Sequence, residues 1–126
     1  VKVYDPELAP DPREWLELDE DERIALAETH HRAARIRLPN ARVHACFHAI
    51  VENQIAEGCL YVVRAMVRLQ SEGLSRHDAL HAIGNVLAEL LHKAATTETE
   101  FSSTRYEAAV GRMTAKAWRK RYGARR

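Results

Sequence analysis

Apolar residues return every three or four positions through most of this chain, and nowhere do they alternate with polar ones at a period of two. A half-buried strand needs that alternation, whereas a return of three or four marks one face of a helix. The pattern restricts the chain to helices, and its punctuation then decides where each begins and ends. The 126 residues suffice for one compact domain with a core, and 46% hydrophobic with 29% charged residues is ordinary globular composition.

Pro6, Pro10 and Pro12 keep regular helix out of the residues before Pro12. Residues 1–18 are therefore predicted to form an extended arm and a short turn carrying Trp15 and Leu16. Asp19, with Glu22 three residues on, makes a capping box that opens a first long helix to about Ile36. Leu18, Ala25, Leu26, Thr29, Ala33 and Ile36 are its predicted buried stripe. Pro39 and Asn40 end that element and cap a second helix from about Ala41 to Glu57, with His44, Phe47, His48, Val51 and Ile55 inward. Gly58 allows a break. A third helix reaches about Gln70, with Leu60, Val63, Met66 and Val67 inward and Gly73 as C-terminal cap. Ser75 with Asp78 caps a fourth helix to about Lys93, whose stripe is His77, Leu80, His81, Gly84, Leu87, Ala88 and Leu91. Residues 95–103 read as a linker, and Thr104 with Glu107 opens a last helix to about Tyr122. The expected fold is all-α: a single-domain bundle of four to five helices with an N-terminal arm, comprising 1–18, the histidine-bearing helices 19–94, the linker 95–103 and the C-terminal helix 104–122.

Two copies of His-x-x-x-His, His44/His48 and His77/His81, lie on these helices. Residues four apart share a helix face, so each pair aims two imidazoles the same way. Short links make successive helices antiparallel, so both pairs are predicted at the same end of the bundle, together with His30 and His31 from the end of the first helix. Imidazoles converging there would form a transition-metal site with His44, His48, His77 and His81 as ligands. His30, beside the apolar stripe, and Glu52, one turn beyond His48, are further candidates. A nitrogen and carboxylate set suits Zn, Fe, Ni or Mn, and the residues do not choose among them. The alternative is a structural or regulatory interaction module, dimeric in one form, whose histidines hydrogen-bond within the core. No nucleophile or phosphate-binding loop stands out, so no reaction is assigned.

The order His30, His48-x-x-x-Glu52, His77-x-x-x-His81 resembles the hemerythrin pattern of di-iron four-helix bundles. That family also takes a histidine and an aspartate from the last helix, and here no aspartate follows Asp78. The pair His77-Asp78 resembles the core of HD-domain phosphohydrolases, without their distal aspartate. A wider resemblance is to an uncharacterised bacterial helical family, one of the domain-of-unknown-function groups. It rests on Trp15-Leu16-x-Leu18-Asp19-Glu20, on His44-x-x-x-His48 running into Glu52-Asn53-Gln54, and on Arg76-His77-Asp78-Ala79-Leu80-His81-Ala82-Ile83-Gly84. It spans most of residues 4–92 and implies one helical domain in a bacterial, cytoplasmic setting, with no activity attached.

Lys plus Arg (19) nearly balance Asp plus Glu (18), so no strong net field draws the chain to nucleic acid or membrane. No apolar run reaches the roughly 18 residues of a membrane span, and no signal-peptide pattern is present. Cys46 and Cys59 lie in apolar helical stretches and are expected to be reduced core residues. The C-terminal segment gathers Arg112, Lys116, Arg119, Lys120, Arg121, Arg125 and Arg126 around Trp118 and Tyr122. Aromatics among cations suit nucleic acid, although a solvated helix end whose cations complement its own dipole is the favoured expectation.

Overall fold

The computed structural model describes residues 3–33 and 40–122. Seven helices form among them and no strand: α1 (Pro12–Glu17), α2 (Glu20–Ala33), α3 (Ala41–Ala56), α4 (Leu60–Ser71), α5 (Arg76–Thr96), α6 (Ser103–Arg112) and α7 (Ala115–Tyr122). The all-helical class holds, but the count of four to five does not. The predicted turn at Trp15 is a helix in its own right, and the predicted last helix is two. Ile36, Pro39, Arg125 and Arg126 lie outside the described residues, as do the side chains of His31 and Ala33. The chain divides into two compact units, Val1–Cys59 and Leu60–Arg126.

In the first unit, Pro12 starts α1 and the Asp11 carboxylate caps it by accepting from the Glu14 N–H. The predicted capping box opens α2: Glu22 N–H donates to Asp19 Oδ1 at 2.9 Å, and Asp19 N–H donates to Glu22 Oε1 at 3.2 Å. Asn40 caps α3 by accepting from Val43 N–H. The core joins Tyr4, Trp15, Ile24, Ala27, Ala45 and Ala49. The stripe of α2 is therefore turned from the prediction: Ile24 and Ala27 are buried, while Ala25 and Thr29 are exposed. The four consecutive apolar residues Ile24 to Ala27 offer more than one face, and packing chose. Alanines at the contact let α2 and α3 approach closely, leaving room for the Trp15 ring. Arg42 at the start of α3 pairs with Glu28 and lies 3.5 Å from Asp21 of α2. Bonding to Glu28 raises the Arg42 pKa above its ordinary value.

Arg23 fixes the end of α1. Its guanidinium donates to the carbonyls of Trp15, Leu16 and Leu18 at the end of α1, and also to Asn53 Oδ1 on α3. The chain leaves α3 through Gly58 at φ +77°, where Cys59 N–H donates back to Gln54 O, a left-handed cap of the kind the glycine suggested.

In the second unit, α4 buries Val62, Ala65, Met66 and Leu69. Leu60 and Val67, predicted inward, are 64% and 66% exposed. The helix carries two apolar stripes, and the one spaced 62, 65, 66, 69 won. Gly73, at φ +104°, ends α4 with Leu74 N–H bonded to Leu69 O, as predicted. Ser75 caps α5 by accepting from Asp78 N–H. The cap of α6 is Ser102, two residues earlier than the predicted Thr104, and accepts from Arg105 N–H. This register buries Tyr106 and Val110 on one face.

The split between α6 and α7 has a physical cause in α4. Arg68 Nη2 donates to Val110 O and Met113 O, the carbonyls at the end of α6. Glu72, one turn on, accepts from Ala115 N–H at the start of α7. A cation thus meets a helix C-terminus and an anion a helix N-terminus, each matching the dipole it faces. Thr114 completes the break by accepting from Ala117 N–H. Arg68→Ala should lower stability by about 1–2 kcal/mol, since it removes the charged donor from two partly solvent-open carbonyls, of which Val110 O keeps the Met113 N–H. Urea unfolding checks this, with Lys116→Ala, on an exposed site, as the control expected to change little.

The basic segment packs on α5. Trp118 is buried and its indole N–H donates to Asn85, while Tyr122 donates to Glu89, which also pairs with Arg121. The aromatics are committed to protein, so a stacking surface for nucleic acid gains no support from them. No helix among the described residues is long and apolar enough to cross a membrane.

Candidate metal centre

The first histidine pair sits on α3. The rings of His44 and His48, one turn apart, have centroids 5.2 Å apart and planes at 47°. His44 is half-buried and His48 only 3% exposed. A buried imidazole is costly unless its nitrogens are bonded. His48 Nδ1 lies 3.2 Å from the hydroxyl of Tyr4, which donates to Glu52 Oε2 at 2.6 Å. The hydroxyl has one hydrogen, and it is committed to the carboxylate, so the same oxygen receives a hydrogen from His48 Nδ1. That order puts the His48 lone pair on Nε2.

Tyr4 is the hub of this unit's polar interior. Its ring lies edge-on to His48 (6.0 Å, 84°) and to His30 (6.3 Å, 77°), and tilts against Trp15 (5.5 Å, 40°). Glu52, one turn beyond His48, is 2% exposed and so faces the interior. A narrow cleft of about 120 Å³ opens beside it, walled mainly by Pro10, Pro12, Trp15, Ile55 and Ala56. Carboxylate, phenol and imidazole are thus bonded to one another within an apolar shell, where such bonds are stronger than in water.

The second pair sits at the start of α5. His77 and His81 are half-buried, with ring centroids 4.3 Å apart and planes at 66°. The Ser75 cap sets the first turn of that helix, and hence the direction of both rings. Asn85, one turn beyond His81, holds the Trp118 indole N–H at 3.0 Å. Asn53, on the helix of the first pair, likewise holds the Trp15 indole N–H at 2.9 Å. Each histidine-bearing helix is therefore pinned by a buried tryptophan bonded to an asparagine.

Within its own unit, each pair sets two imidazoles one turn apart on one helix face, so each can offer two nitrogens to one ion. A tetrahedral ion held by such a pair would keep its other positions for further ligands or water.

Of the six ligands expected from sequence, His44 and His48 adjoin on α3, and His77 and His81 adjoin on α5. His77 stands one turn before His81, His30 packs on Tyr4, and Glu52 accepts the Tyr4 hydroxyl. The sequence reading missed Tyr4, which lay in a stretch read only as an arm. Its single signal was an aromatic residue beside Pro6, in a segment too rich in proline to be helical. Asn53 and Asn85 were missed because an indole partner is a tertiary choice. Compared with protein-family models, with curated proteins and with solved structures, the chain matches none, so its geometry carries the functional reading.

Proposed function

We propose that this chain binds a divalent transition-metal ion through the pairs His44/His48 and His77/His81, with His30 and Glu52 as further ligand candidates. The observation that carries the proposal lies within the first unit: His44 and His48 share one face of α3 with ring centroids 5.2 Å apart, and His48 is buried. The Tyr4 bond that orients His48 supports it, because ligating imidazoles are commonly held by a partner on their other nitrogen. Neutral imidazoles suit Zn, Fe or Ni, and a carboxylate or water completing the set would admit Mn. Bound there, the ion would polarise a carbonyl or phosphoryl oxygen, or acidify a water molecule. The likeness to a bacterial helical family belongs to this proposal as its setting, a cytoplasmic protein.

A second reading keeps the histidines as hydrogen-bonded core groups of an interaction module. The Tyr4, His48 and Glu52 bonds favour it, since they satisfy polar atoms by protein alone. The exposed Leu60 and Val67, seven residues apart on α4, would then suit a contact between copies.

Elemental analysis of protein prepared without a histidine tag separates the two. About one ion per chain, retained through dialysis and released on acidification as protons compete for imidazole, is the expected result. Metal well below one per chain that dialysis removes would reject the metal site in favour of the interaction module.

A further inference from the structure

We infer that Tyr4 is a positioning residue for the proposed metal centre: anchored by Glu52, its hydroxyl fixes the tautomer and orientation of His48, so that Nε2 is presented as the ligating nitrogen. This rests on the metal reading for its consequence, and on hydrogen-bond geometry for its cause.

Three observations carry it. First, the chain from Tyr4 to Glu52 and His48 is short and directional. The 2.6 Å bond to a carboxylate is of the charge-assisted kind and claims the phenolic hydrogen, and the 3.2 Å approach of His48 Nδ1 then uses an oxygen lone pair. A glutamate alone could hold His48 in this tautomer, but here the phenol stands between them and sets the distance. Second, a residue in a non-helical arm is buried as deeply as the core. Tyr4 is 3% exposed, and Pro6 is among the fully buried side chains. Proline fixes the backbone two residues from the phenol, so the ring arrives with little torsional freedom. Third, the ring is held on several sides, by Trp15, His30 and His48, which restricts its rotation about the arm. Glu52 thereby has an assigned task, as the acceptor that orients the phenol.

The chemistry follows from imidazole itself. A neutral ring has one lone pair, on Nδ1 or on Nε2, and free imidazole exchanges between the two. Removing the Tyr4 hydroxyl would take away the acceptor that holds the hydrogen on His48 Nδ1 and so shift the ring away from the Nε2-ligating form. Loss of such an outer partner ordinarily weakens metal affinity about 10- to 100-fold.

The test uses Tyr4→Phe and Glu52→Gln in the full chain, with two readouts. The first is the His48 tautomer in metal-free protein, read from its two ring-nitrogen chemical shifts by long-range nitrogen–proton correlation. Wild type should show a protonated Nδ1 and a lone pair on Nε2, and Tyr4→Phe should shift His48 towards averaged values while His92 is unmoved. The second is titration with Co(II) or Zn(II): unchanged stoichiometry, affinity about 10- to 100-fold weaker in Tyr4→Phe, and a double variant little worse than either single one, because both act through one bond chain. Phe keeps the ring packing, and Glu52→Gln, which leaves every ring in place, serves as the second variant if Tyr4→Phe loses helicity. A His48 tautomer that is the same in wild type and both variants overturns the inference, whether or not metal binds. Wild-type protein that takes up no ion, with the tautomer responding as expected, overturns the metal reading and leaves Tyr4 as the group that sets the ring.

Discussion

His48→Ala combined with His81→Ala should lower metal affinity by about four orders of magnitude. The free energy of structural zinc sites, about 10–16 kcal/mol over four ligands, corresponds to roughly 3 kcal/mol per ligand. Removing one histidine from each pair takes away two ligands, a loss of about 6 kcal/mol or about 10⁴-fold in the dissociation constant. The two substitutions differ in their structural cost. His81 is half-buried, so its truncation should disturb α5 little. His48 is buried and bonded to Tyr4, so alanine there opens a small cavity and removes the hydrogen donor to the phenol. Single variants therefore belong beside the double one: His81→Ala should lose affinity with near-native unfolding, whereas His48→Ala should lose both. Isothermal titration with Zn(II), alongside urea unfolding, checks this, and exposed His92 supplies the control. Retention of wild-type affinity by the double variant would falsify the assignment of these rings as ligands.

Trp15→Ala should destabilise the first unit by about 3–5 kcal/mol, the range for truncating a large buried aromatic. Trp15 is 1% exposed and lies between the arm and α3: its ring meets Tyr4 and its N–H reaches Asn53. Lost volume dominates the effect. Asn53 keeps a donor in Arg23 when the indole is gone, so little is added for an unsatisfied amide. Trp15→Phe retains most of the packing and should cost about 1–2 kcal/mol. A compact unit of this size has only a few kcal/mol in hand, so Trp15→Ala should leave residues 3–59 largely unfolded, seen as collapse of their amide dispersion in nitrogen–proton spectra. A loss below about 1 kcal/mol would show that the ring is not what holds the arm.

The helix boundaries were legible because their signals are local. Asp19 with Glu22, Asn40, Ser75 with Asp78, Gly58 and Gly73 act within a few residues of chain, and each does at its helix end what its chemistry requires. Where two local signals competed, the sequence was ambiguous. Thr104 with Glu107 is as good a cap on paper as Ser102, and only the burial of Tyr106 and Val110 favours the earlier start. The break at Met113 was invisible for a stronger reason: its stabilising groups, Arg68 and Glu72, lie more than forty residues upstream.

The chain by itself determined that it is helical, where most helices begin and end, and that two of them carry paired imidazoles on one face. Those features depend on spacing and on backbone groups close in sequence. Tertiary structure decided which stripe of α2 and α4 is buried, and that the proline-rich arm delivers Tyr4 to His48 and Glu52. Packing makes these choices because an apolar face or a ring nitrogen has no preferred partner until other segments arrive. Its free energy then depends on what fills the space and satisfies the bond, and no local pattern encodes that.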